Sequence, residues 1–117
     1  MSEITELAER LGKAIASSPQ AAKLRQARAE LDKHPDLKKL LEDYGKQAQK
    51  VGELESQNKP VEVDDKHALR DLHGKLIASD VFKQFTAAQV EYVDLMRQVS
   101  DTLRGQLAET EGGSSAT

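Results

Sequence analysis

In two stretches of this chain, side chains return in alternating steps of three and four over many turns. In the first, Leu37, Leu40, Tyr44, Gln47, Val51, Leu54 and Asn58 keep that rhythm; in the second, Phe82, Phe85, Gln89, Tyr92, Met96, Val99 and Leu103 do. Such spacing holds one mostly apolar stripe on one face of an α-helix and fits no strand. The two helices it predicts would be roughly 34 Å and 40 Å long at 1.5 Å per residue. The whole chain is 117 residues, and a compact domain of about 100 residues has a radius of gyration near 13 Å. Seams of that length need another long surface, from within the chain or from a second copy.

Punctuation divides the rest. A helix from Ser2 to Ala16 carries Ile4, Leu7, Ala8, Leu11 and Ile15 on one stripe, with Ser2 as cap and Glu3 and Glu6 at the positive end of its dipole. Ser17-Ser18-Pro19 breaks the chain, and Ser18 with Pro19 opens a second helix to Lys33, with Ala21, Leu24, Ala27 and Leu31 facing inward. His34-Pro35 opens the first long helix, to about Gln57, and His34 reads as a surface cap. Asn58-Lys59-Pro60 ends it. Asp64 then caps a helix from Asp65 to Ala78, whose inner stripe is Leu69, Leu72, Leu76 and Ile77, and Ser79 or Asp80 caps the second long helix, Val81 to Leu107. Gly45 and Gly52, seven apart on one face, offer a place for close helix contact or are simply tolerated. A faint repeat, Ile15-Ala16-Ser17-Ser18 and Ile77-Ala78-Ser79-Asp80, marks two of the breaks. The expectation is an all-α fold of about five helices. The two long helices form an antiparallel hairpin-like bundle that oligomerises. Residues 1–107 form a single domain and 108–117 a Gly/Ser/Thr-rich disordered tail.

Composition narrows the chemistry. The chain has no cysteine, which excludes disulfides, thiol nucleophiles and thiolate metal sites. Its net charge of −3 argues against nonspecific nucleic-acid binding. Between Lys23 and Lys50 there are eight Lys/Arg against five Asp/Glu, a surface for phosphate or, more simply, a solvated face; it lacks the row of interleaved aromatics that would serve as stacking platforms. His67 and Asp71 share a helical face, but His73 points elsewhere, so no ligand set forms. Glycine-rich phosphate loops and nucleophile–base motifs are missing. No apolar run reaches the roughly 20 residues of a membrane span, and acidic Glu3, Glu6 and Glu9 exclude a signal peptide. These readings predict a cytoplasmic, non-enzymatic protein with no cofactor. Contacts are expected at Leu40, Tyr44, Val51 and Leu54 of the first long helix and at Phe82, Phe85, Tyr92, Met96 and Val99 of the second. Gln47, Gln89 and Asn58 would set the register of those seams.

The segments Ile4 to Ser17 (ITELAERLGKAIAS), Ala22 to Leu41 (AKLRQARAELDKHPDLKKLL) and Ser79 to Val99 (SDVFKQFTAAQVEYVDLMRQV), in this order of breaks, resemble the YlbF/YmcA family of small bacterial regulators. The likeness covers residues 3 to 104. Where the family pattern has Asp or Asn before the proline of the second break, this chain has His34-Pro35-Asp36. The resemblance implies an all-α protein forming dimers or higher oligomers, with a non-enzymatic regulatory role in the cytoplasm. It further implies partners among sibling regulators and a ribonuclease, in a complex that influences RNase Y-dependent mRNA maturation and, through it, competence, sporulation and biofilm formation. Some relatives hold iron–sulfur clusters through cysteines, a property that does not carry over here. Two other classes stay open: a purely structural helical oligomer and a small RNA-binding accessory. Purified protein is expected to contain no stoichiometric metal. Elemental analysis returning one equivalent of zinc or iron, lost in His67→Ala, would overturn that expectation.

Overall fold

The computed structural model describes residues 2–110. Over these residues the chain is five helices and no strand: α1 Glu3–Ala16, α2 Pro19–Asp32, α3 Pro35–Ser56, α4 Val63–Ile77 and α5 Asp80–Leu107. Residues 108–110 form a turn; residues 111–117, the rest of the tail expected to be disordered, lie outside the described residues.

The helix ends follow from local hydrogen bonding. Ser2 Oγ accepts from the Thr5 amide at 3.2 Å, Ser18 Oγ from the Ala21 amide at 3.1 Å, and Ser79 Oγ from the Phe82 amide at 3.2 Å. Each satisfies a donor that the first turn of a helix leaves unpaired. The faint repeat is thus real as chemistry but shifted by one residue, since the cap is the fourth residue of the first copy and the third of the second. One local expectation holds in position but not in bonding, and two need correction. His34 occupies the cap position of α3 without a side-chain capping bond; its ring turns back to Glu30, with Nε2 3.5 Å from Oε1. Helix α4 begins at Val63, with Glu62 in the cap position, so Asp64 lies in the first turn beside Asp65, where both carboxylates suit the dipole. Asn58 is not a seam residue: it has φ 57°, the left-handed conformation that asparagine tolerates. Its amide donates to Glu55 O (3.1 Å) and that of Lys59 to Leu54 O (2.9 Å), the paired bonds that close a helix around a left-handed residue.

The chain groups into two compact units, and α2 and α5 contribute to both. One unit, Arg25–Thr86, is built around Leu31, Leu37 and Leu76, which are 8%, 9% and 1% exposed. Leu40, Leu41 and Tyr44 of α3 and Val81, Phe82 and Phe85 of α5 pack against these three. Helix α3 runs along α4, which leaves its seam residues Tyr44, Val51 and Leu54 half-buried within the unit. The other unit comprises the residues up to Leu24 and those from Ala87 onward. Here α2 packs on α5, with Ala21 and Ala88 each 6% exposed and Lys23 Nζ 3.5 Å from Glu91 Oε2. Each long helix therefore has a shorter neighbour, α4 for α3 and α2 for α5, while the N-terminal ends of α3 and α5 each pack against the leucine cluster.

Gly45 and Gly52 do not mark a close contact. A β-carbon on either would meet nothing within 4 Å, so both simply weaken α3. Gly52→Ala should stabilise the protein by about 1 kcal/mol, whereas Leu76→Ala should cost about 2–5 kcal/mol. Urea unfolding followed by circular dichroism checks both.

Candidate interaction surface

The residues expected at contacts fall into two groups. Leu40, Tyr44, Phe82 and Phe85 are half-buried against the leucine cluster of their own unit. The Tyr44 ring also lies 6.0 Å from that of His73, tilted by 38°. Val51 and Leu54, farther along α3, and Tyr92, Met96 and Val99, along α5, are half-buried and keep part of their surface in solvent. Of the polar residues in the seams, Gln89 is exposed. Gln47 works within the chain, its amide nitrogen donating to Asp65 O at 3.0 Å and reaching Asp65 Oδ1 at 3.4 Å. Lys50 Nζ joins the same carboxylate at 2.8 Å. The Asp65 side chain is 14% exposed, and its hydrogen bond from Lys50, with help from Gln47, holds its carboxyl below the ordinary value of 3.8. This small polar cluster clamps the first turn of α4 onto the middle of α3.

The cationic stretch from Lys23 to Lys50 is largely neutralised. Lys33 pairs with Glu30, Lys38 with Asp32, Lys39 with Asp43 and Lys46 with Glu42, in addition to Lys23 with Glu91 and Lys50 with Asp65. At least six of its eight cations thus face a carboxylate of the chain itself, an arrangement that leaves little field for a phosphate backbone. Glu30 sits below the usual carboxylate range because His34 and then Lys33 hydrogen-bond to it. In the unit that holds α1, a groove of about 330 Å³ between α2 and α5 is lined by Pro19, Lys23, Glu91, Asp94, Leu95 and Gln98, among others, and the Lys23–Glu91 pair belongs to its wall.

The most open apolar surface is on α1. No residue of α1 is buried. Ile4 is 78% exposed, Leu7 51% and Leu11 37%; on α5, Val90, Val93, Leu103 and Leu107 are also exposed. The signal was legible in the three-and-four spacing of Ile4, Leu7, Ala8, Leu11 and Ile15, but a stripe of itself does not say whether its partner lies in the same chain. Among the described residues no group of three or more His, Asp or Glu is placed to hold a metal ion, and no helix is long and apolar enough to cross a membrane.

Comparison with known families gives this arrangement its context. A family model described as control of competence regulator ComK, YlbF/YmcA, matches residues 4–108. The chain belongs to the YlbF/YmcA family. The match takes in all five helices apart from the first residue of α1, and the role the family's description carries is regulatory. No curated protein and no solved structure matches the chain.

The Asp65 cluster generates a pH-dependent expectation. A carboxyl whose folded value is lowered contributes stability above its unfolded value, and that contribution is lost as the pH falls through the folded value. Asp65→Asn should therefore be less stable than the native chain above about pH 5, with the difference closing as the pH drops below 3.8. Urea titrations across that range check this; a difference that persists in acid would mean the carboxylate is not its source.

Proposed function

We propose that this chain is a cytoplasmic, non-enzymatic regulatory adaptor that acts through protein–protein contacts. Its partners in this reading are sibling regulators of its own family and a ribonuclease, in a complex that influences RNase Y-dependent mRNA processing and developmental regulation, and it self-associates. The observation that carries the proposal is the family match across residues 4–108. Support comes from exposed apolar residues on helices, Ile4 and Leu7 on α1 and Val93 and Leu103 on α5, the kind of surface that receives partner helices. The intramolecular pairing of the Lys23–Lys50 cations supports a protein partner over RNA.

A pull-down with crosslinking, using the full chain as bait, tests the reading. Recovery of sibling regulators or a ribonuclease is the expected result. Recovery of further copies of the bait alone would replace the adaptor by a structural oligomer. Crosslinks to RNA in place of protein would make the chain an RNA-binding accessory.

A further inference from the structure

Helix α1 is well formed, and none of its residues is buried. Ser2 closes its start through the Thr5 amide, and the Thr5 hydroxyl returns a bond to Ser2 O at 2.9 Å. At its end the Ser17 amide donates to Lys13 O and the Ser18 amide to Ile15 O, each at 3.0 Å. Capping alone leaves a helix of this length marginal in water. Its apolar side chains contribute little to stability while they remain wet.

The stripe has an internal symmetry. Ile4, Leu7, Ala8 and Leu11 are spaced three, one and three, a pattern that reads the same from either end. Two copies of α1 laid antiparallel about a two-fold axis between residues 7 and 8 therefore set Ile4 against Leu11 and Leu7 against Ala8, twice over. The small side chain of Ala8 allows close approach at the centre. Charge follows the same symmetry. The N-terminal half of α1 carries Glu3, Glu6 and Glu9 and the C-terminal part Arg10 and Lys13. At 100° per residue, Glu3 and Arg10 fall on one flank of the stripe, and among the described residues neither has an ion-pair partner within the chain. Glu9 and Lys13 lie on the far side and pair with each other at 3.3 Å. The antiparallel arrangement brings Glu3 of each copy beside Arg10 of the other and opposes the helix dipoles. A parallel arrangement leaves the Glu3 and Arg10 flanks of the two copies on opposite sides of the seam, where those pairs cannot form, and aligns the dipoles.

We propose that α1 is a homotypic docking element, and that its occupant is α1 of a second copy of this chain, antiparallel. The proposal deepens the self-association within the adaptor reading and rests on it. The contact is modest in size: two helices of 14 residues bury less than the roughly 1,200 Å² of a standard stable interface, so by itself it makes a weak, concentration-dependent pair.

The absence of cysteine from the chain makes single-cysteine crosslinking of the full protein unambiguous. Ala8→Cys places the thiol beside the two-fold axis, where the two copies come within disulfide reach, about 4.4–6.8 Å between α-carbons. It should give a disulfide-linked dimer on mild oxidation. Leu11→Cys sits about 10 Å along the axis from its own counterpart in the antiparallel pair, and Glu9→Cys faces away; neither should link. Linking of Leu11→Cys as readily as Ala8→Cys would mean a parallel pair and would overturn the proposal. So would Ala8→Cys linking no faster than Glu9→Cys. A second measurement tests the charges without cysteine. Glu3→Arg and Arg10→Glu should each weaken self-association in sedimentation equilibrium. A mixture of the two variants restores both ion pairs and should associate about fivefold more tightly than either alone. Equal affinities in the mixture and the separate variants would also overturn it. If α1 fails these tests while the pull-down still recovers sibling regulators or a ribonuclease, the docking inference falls and the adaptor reading stands.

Discussion

The unit formed by Arg25–Thr86 closes on one side chain. Leu76, at the end of α4, is the large residue removed almost completely from water, and Leu31 and Leu37 complete its contacts from either side of the His34-Pro35 break. Chain connectivity makes this possible. The break between α2 and α3 carries an apolar residue on each side, and the break between α4 and α5 does the same with Leu76 and Val81. Two corners, each fixed by a proline or a serine cap, thus bring four helix ends to one point. Burial is non-directional and cannot by itself choose which helices meet. The corners supply that choice, and the leucines stabilise it.

Away from this point the helices are held by thinner means. The Gln47–Lys50–Asp65 cluster shows how a polar residue in an apolar seam can be satisfied without a second chain. Gln47 binds the backbone and the side chain of one residue on α4, while Lys50 neutralises the charge that Gln47 leaves on it. A carboxylate in the first turn of α4 also faces the positive end of that helix dipole, so three modest interactions converge on Asp65. In the other unit the contact between α2 and α5 relies on Ala21 and Ala88, whose small side chains give proximity but little apolar area.

What the sequence made legible was local. The five helices, the serine caps at Ser2, Ser18 and Ser79, the proline openings of α2 and α3 and the end of α3 near Asn58 all depend on hydrogen bonds spanning a few residues, and residue type determines those. Asn58 shows the boundary of that reasoning. Its spacing extended the α3 seam by one step, but the Lys59-Pro60 sequence after it ends the helix and turns it into a left-handed cap. Asp64 lost the cap position to Glu62 because either acidic residue can stand near a helix start, and only the path of the chain after Pro60 separates them. Which helix covers which seam was not legible. Leu, Val and Ala stripes of equal period are interchangeable until the corners are placed, so spacing alone does not separate α1 from α2 or α4 as the neighbour of a long helix. Gly45 and Gly52 share a face by spacing, yet that face is open, because periodicity identifies a face without naming its neighbour.

A core this small also sets the thermal behaviour of the isolated chain. The heat capacity gained on unfolding grows with the apolar surface that becomes hydrated. A chain that already keeps Ile4, Leu7, Val90, Val93 and Leu103 in solvent has less left to hydrate. Its free energy of unfolding accordingly varies gently with temperature, a low, broad dome in place of a steep one, and cold denaturation recedes to lower temperature. Any partner that covers those faces deepens the curvature, so the shape of a melting profile, and not only its midpoint, carries a record of whether the chain is alone.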